Sequence, residues 1–168
     1  MKEIFNRRSI RKYKDKKVEK EKIERMLRAA MQAPSAVNQQ PWEFIVVENK
    51  ETLKKLSQIS PYSKMVENAP VAFVILFRKE GIPVPSMIQQ DMGAATQNLL
   101  LEATHLGLGA VWLGVYPVQD RMDSIRSLLE IPDNLESFAV VPVGYPDGQE
   151  NKFVDRFDES RVHYEGWK

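Results

Sequence analysis

The stretch from Asp91 to Gly114, DMGAATQNLLLEATHLGLGAVWLG, constrains this chain more than any other. Met92, Ala95, Leu99, Ala103 and Leu106 fall at helical spacing, and Leu100, Leu101 and Leu108 widen the stripe until nearly the whole circumference is apolar. Such a helix must be covered on most sides, and 168 residues supply few other helices to do it. A second copy of the chain is the expected source of the missing cover. Gly107 and Gly109 are expected to stop the helix, with Ala110 to Tyr116 following as a strand.

The length fits one domain, and the chain has no cysteine, which excludes disulfides, thiolate metal sites and thiol redox chemistry. Any electron transfer must then run through a bound cofactor. No apolar run approaches a membrane span and no apolar leader opens the chain, so the expected compartment is the cytoplasm. The net charge of +1 hides an asymmetry: Met1 to Arg28 holds 12 of the 24 Lys/Arg and 5 of the 23 acids, so it is +7 against −6 for the remainder. The basic segment carries no interleaved aromatics beyond Tyr13, which favours a small phosphate ligand over nucleic acid.

In chain order, Met1 to Asn6 reads as a short helix that delivers RRSIRKYK, residues 7 to 14, where arginines surround one serine. Forked guanidinium donors and a hydroxyl suit a phosphate; a solvated basic face is the alternative. Val18 to Met31 is an amphipathic helix with Val18, Ile23, Met26, Leu27, Ala30 and Met31 on its apolar side. The segment APSAVNQQPWEF, residues 33 to 44, breaks the pattern with Pro34 and Pro41 around Ser35, Asn38, Gln39 and Gln40. Amides that both donate and accept can read the edge of a heteroaromatic ring, although an ordinary capped loop explains the composition equally well.

Glu43 to Val47 is the first expected strand, Lys54 to Ile59 and Ser63 to Asn68 are short helical pieces, and Val71 to Phe77 is a central strand covered on both faces. Arg78 to Gln90, with Gly81, Pro83 and Pro85, is expected to be a loop too short for a lid. Val118 to Glu130 is a further amphipathic helix, Phe138 to Val143 the last strand, and YPDG at 145–148 a turn. The domain is therefore drawn as residues 1–148. Residues 149–168 lack periodicity yet carry Phe153, Phe157, Val162, Tyr164 and Trp167, which fits an arm wrapping a partner subunit or, alternatively, folding back on its own chain.

Several motifs fail. GLGAVWLG leaves a helix and enters a strand, the reverse of a dinucleotide-binding turn, and its third glycine would fall at Trp112. His105 and His163 lack partners at ligand spacing, so no metal is expected, and nothing near Ser9 or Ser35 supports a serine nucleophile.

Taken together, RRSIRKY at 7–13, APSAVNQQPWEF at 33–44, the 91–114 segment and an arginine in a C-terminal arm resemble the nitroreductase family of FMN-dependent oxidoreductases. The resemblance implies an α+β fold with a mixed, mainly antiparallel central sheet flanked by helices. It also implies an intertwined homodimer with exchanged C-terminal arms and two interfacial FMN sites. On that resemblance Arg7, Ser9 and Arg11, with Arg8 beside them, are FMN phosphate and ribityl ligands. Pro34, Ser35, Ala36 and Asn38 meet the flavin from the other subunit. Trp112, Leu113 and Gly114 pass under the ring with the Leu113 backbone N–H near N5, and Arg156 reaches the phosphate.

The implied reaction takes hydride from NADH or NADPH and passes two electrons to a small organic acceptor, such as a nitroaromatic or quinone, by a ping-pong mechanism with no catalytic side chain. A non-catalytic flavin carrier or sensor, or a specialised reaction such as reductive dehalogenation, is the alternative. Two departures bear on substrate: no helical insertion covers the site, and Leu113 stands where some members have an acid.

Overall fold

In the computed structural model, which describes residues 2–167, Val71–Arg78 forms strand β2 in the middle of the protein. Met1 of the expected first helix and Lys168 of the expected arm lie outside the described residues. On one side β2 pairs antiparallel with β1 (Trp42–Val47), and on the other with β5 (Leu135–Gly144). Strands β3 (Gly109–Ala110) and β4 (Leu113–Gly114) both pair antiparallel with β5, giving the order β1-β2-β5-β3 with β4 also on β5. The one parallel link among the described residues is a bridge from Ser9 to Ala110.

The continuous apolar run of β2 follows from cover on both faces. Val71, Phe73, Ile75 and Phe77 point to one core with Met92, Ala95 and Leu99, whereas Ala72, Val74 and Leu76 point to another with Leu53, Leu56, Met122 and Ile125. The first core is roofed by α2 (Lys20–Met31) and α4 (Ile88–His105), and the second by α3 (Lys50–Leu56) and α5 (Gln119–Leu129). Two helical layers thus sandwich the sheet, with α1 (Lys2–Asn6) lying beside α4.

Several expectations need correction. The loop expected over Arg78–Gln90 is shorter: β2 runs through Arg78, a 3₁₀ turn spans Pro85–Met87 and α4 begins at Ile88. Proline at the first turn of a helix sacrifices no bond, so Pro85 opens the helical stretch and does not exclude it. Gly109 does not stop α4; Gly107 does, at φ 73°, while Gly109 is a point of close approach where an added Cβ would lie 2.5 Å from Ile10. Met31, expected on the buried stripe of α2, is exposed.

The expected strand from Ala110 to Tyr116 begins one residue earlier and is interrupted at Val111–Trp112, although β3 and β4 keep one register on β5. That register sets Pro142 opposite Val111, and proline has no N–H to donate into the ladder. Nor is α4 buried all round: Leu101 is partly exposed and lines an open groove with Ile4, Ala29, Asn98 and His105.

The chain leaves β5 after Gly144 and the 145–148 turn follows. The first residues after Gly148 run along the N-terminal segment: Gln149 Oε1 accepts from the backbone N–H groups of Arg11 and Lys12, and Asn151 bridges Arg8 N–H to Leu108 O. Beyond them Phe157, Tyr164 and Trp167 are 77%, 81% and 86% exposed.

Candidate functional site

The N-terminal segment is fixed to the sheet by Ile10 and Tyr13. Ile10 is buried, its N–H donates to Ala110 O at 3.0 Å, and Tyr13 OH is shared between Ile10 O at 2.7 Å and Pro142 O at 3.2 Å. Burial pushes the Tyr13 hydroxyl above its ordinary range, so it stays a neutral donor to those carbonyls. On the same stretch Arg7 is half-buried, and Ser9 and Arg11 are exposed.

Each arginine has a distinct environment. Arg7 is half-buried with no carboxylate partner among the described residues; burial, then the neighbouring charges of Arg8 and Arg156, depress its pKa. Like charges held together without an acid between them form a place that gains from an anion. Arg8 is instead spent on the protein, donating through Nε to Lys152 O at 2.6 Å and through Nη2 to Phe5 O. It ties the arm to α1, and with Ser9 lines a separate hollow beside Gln149. The guanidinium of the exposed Arg11 donates to Ser9 O at 3.4 Å and to no other partner among the described residues, and it faces a cleft of about 430 Å³.

That cleft brings Arg11 together with Trp112, Leu113 and Gly114. The Trp112 ring packs 5.7 Å from Phe138, and the position of a Cβ on Gly93 is 3.8 Å from it, so α4 and β5 set the indole from two sides. Leu113 and Gly114 lie in register with Val140 and Ala139, which makes the floor of the cleft part of the sheet. Lys64, Tyr62 and Arg121 complete its wall. Sequence reasoning missed all three, since each looks like an ordinary polar or turn residue of its own segment.

The 33–44 loop does not line this cleft; it packs at the N-terminal turn of α4. Asp91, 4% exposed, accepts from Ala36 N–H at 2.9 Å and from Gln39 Nε2 at 2.6 Å. Gln39 also donates to Val84 O at 3.1 Å and accepts from Val84 N–H at 2.9 Å. Gln39 is thus saturated within the chain and unavailable to read a ring edge. Gln40 N–H donates to Ser35 Oγ at 3.0 Å, and Val37, Asn38 and Gln40 all have positive φ, at 46°, 56° and 44°. The bracing presents Asn38 and Val37 to solvent, Val37 72% exposed.

Fold and cleft together define an α+β protein with an unpaired cationic pole beside an aromatic-backed turn. The Nitroreductase family model matches residues 4–61 and 59–145. A relative in Methanothermobacter thermautotrophicus, provisionally named an NADH dehydrogenase/NAD(P)H nitroreductase, is 48% identical over 165 residues, 98% of this chain and 85% of its own. A crystal structure from Clostridium acetobutylicum, provisionally named an NADH oxidase, shares the fold at TM-score 0.97 with 54% identity, covering 98% of this chain and 99% of that one. An FMN-dependent nitroreductase of Clostridium difficile matches at TM-score 0.91 with 36% identity over 99% of this chain and 100% of its own. The chain belongs to the nitroreductase family.

Proposed function

We propose that this protein is an FMN-dependent oxidoreductase that takes hydride from NADH or NADPH and delivers two electrons to a small organic acceptor. The observation that carries the reading is Arg7, half-buried, close to the like charges of Arg8 and Arg156 and facing no acid among the described residues. A phosphomonoester relieves that repulsion through charge-assisted, forked hydrogen bonds, so the donor set fits the FMN phosphate.

When bound, FMN supplies the two-electron chemistry, accepting hydride at N5 and returning it to an acceptor such as a nitroaromatic or quinone. The chain's own residues do the rest. Arg7, Ser9, Arg11 and Arg156 hold the phosphate end, with Arg8 anchoring the arm next to them. Trp112 backs the Leu113–Gly114 turn, which would carry the ring, and the Leu113 backbone N–H would serve its N5. Orientation and positive potential are their contribution, and both favour the charge that develops during hydride transfer. No side chain is required as nucleophile or base.

The reading extends to assembly. Residues 1–148 form the domain and 149–168 an arm that crosses to a second subunit, where its exposed aromatic side chains find cover. Pro34, Ser35, Ala36 and Asn38 then meet the flavin bound by the partner, which gives the braced loop its purpose. Donor and acceptor use the same face in turn, which is ping-pong kinetics, in the cytoplasm. Among the described residues no helix is long and apolar enough to cross a membrane.

The test is the visible spectrum of the purified protein, titrated anaerobically with NADPH and then NADH. Flavin bands that bleach with either nucleotide support the reading, and a colourless protein that takes up no added FMN overturns it. Arg7→Ala with Arg11→Ala should release FMN while leaving the fold intact; full occupancy in that variant removes the phosphate assignment.

A further inference from the structure

The ten arginines of this chain divide cleanly. Arg25, Arg28, Arg78, Arg126 and Arg161 each pair with a carboxylate. Arg7, Arg8, Arg11 and Arg156 have no carboxylate partner among the described residues; Arg8 is spent on the carbonyls of Lys152 and Phe5, and the proposed phosphate site takes the other three. Arg121 is the fifth unpaired arginine, and the phosphate does not explain it.

Arg121 stands in the first turn of α5, partly buried, with Nη1 donating to Gly114 O at 2.7 Å. That bond anchors the guanidinium at the turn that floors the cleft and leaves most of its donors uncommitted. The cleft wall carries Arg121, Lys64 and Arg11 without any carboxylate, and the 71% exposed ring of Tyr62 stands among them. A rigid fork beside an accessible aromatic ring suits one chemistry: a flat molecule that stacks through its ring and ends in a small anion.

We propose that Arg121 determines acceptor specificity, and that the acceptor it selects is a planar aromatic bearing a carboxylate or sulfonate. This deepens the flavin reading and rests on it. The reaction balances without another reagent: one NAD(P)H and one proton from solvent reduce a nitro group by two electrons to nitroso, with release of NAD(P)⁺ and water. Arg121 takes no part in the electron transfer; it holds the anionic end so that the reducible group lies over the turn.

The experiment uses the holoprotein with para-nitrobenzoate and para-nitrobenzamide, which share ring and nitro group and differ in charge. Comparing the ratio of their kcat/KM values between wild type and variant cancels their intrinsic difference in reactivity. Arg121→Met should lower the benzoate-to-benzamide ratio about tenfold, the usual worth of one charge-assisted contact, chiefly through the KM of the benzoate. Arg121→Lys, which keeps the charge and loses the fork, should recover most of that ratio.

An unchanged ratio in an active Arg121→Met protein overturns the proposal and leaves the flavin reading standing. Loss of flavin from that variant also overturns it, because Arg121 would then serve the cofactor, and so does a bleachable wild-type protein that fails to turn over para-nitrobenzoate. A wild-type protein that does not bleach with either nucleotide defeats the flavin reading, and this proposal with it.

Discussion

Asp91→Asn tests whether the 33–44 loop is held by a single buried carboxylate. Asp91 accepts two hydrogen bonds, from Ala36 N–H and Gln39 Nε2, and no cation pairs with it among the described residues. Asparagine keeps the shape and offers one oxygen and one NH₂, so one of the two donors must face another donor. Gln39 cannot turn to accept, because its amide is paired in both directions with Val84 and turning would set its NH₂ against the Val84 N–H.

The variant loses one charge-assisted bond outright, about 1.5–3 kcal/mol, and the other becomes neutral. Removing a buried charge offsets part of that loss, so the net cost is about 2 kcal/mol. Urea unfolding followed by circular dichroism, at one fixed protein concentration, should show a midpoint lower by roughly 1 M with an unchanged slope. Faster hydrogen exchange at Ala36 should accompany it. A stability within about 0.5 kcal/mol of wild type would mean that the loop does not depend on this carboxylate.

Gly109→Ala places a methyl 2.5–2.7 Å from three side-chain atoms of Ile10, one of them its Cβ, so no rotamer change relieves the clash and the N-terminal segment must move. We expect about 3 kcal/mol of destabilisation together with weaker FMN binding, since Ile10 seats Ser9 and Arg11; unaltered flavin affinity would contradict that coupling. Truncation after Gly148 should weaken the proposed dimer by removing Phe153, Phe157, Tyr164 and Trp167, and light scattering that still reports a stable dimer would refute the proposed exchange of arms.

What the sequence made legible was periodicity. The unbroken apolar run of β2 announced a strand covered twice, and the two cores divide its residues by parity. The cluster of Arg7, Arg8 and Arg11 around Ser9 was equally visible, because it is local in sequence. Long-range pairing was hidden. Nothing local distinguishes Gln39, consumed by Asp91 and Val84, from Asn38, which faces solvent. Arg121 looks like Arg126 on the page of letters, yet Arg126 is spent on Glu136 and on three backbone carbonyls, whereas Arg121 keeps donors for the cleft. Only the fold says which polar group has already found its partner.

The parallel bridge between Ser9 and Ala110 has a bearing on aggregation. The sheet order ends at β3, so the segment that carries the proposed phosphate ligands is also what covers the sheet's last edge. Unpaired edges recruit strands from other chains, and flanking positive charge keeps such strands apart. Cofactor capture and protection from self-association are therefore vested in the same few residues. A chain shortened past Ile10 would bare that edge while losing its cations, and any precipitation it showed would reflect the open sheet as much as the missing cofactor.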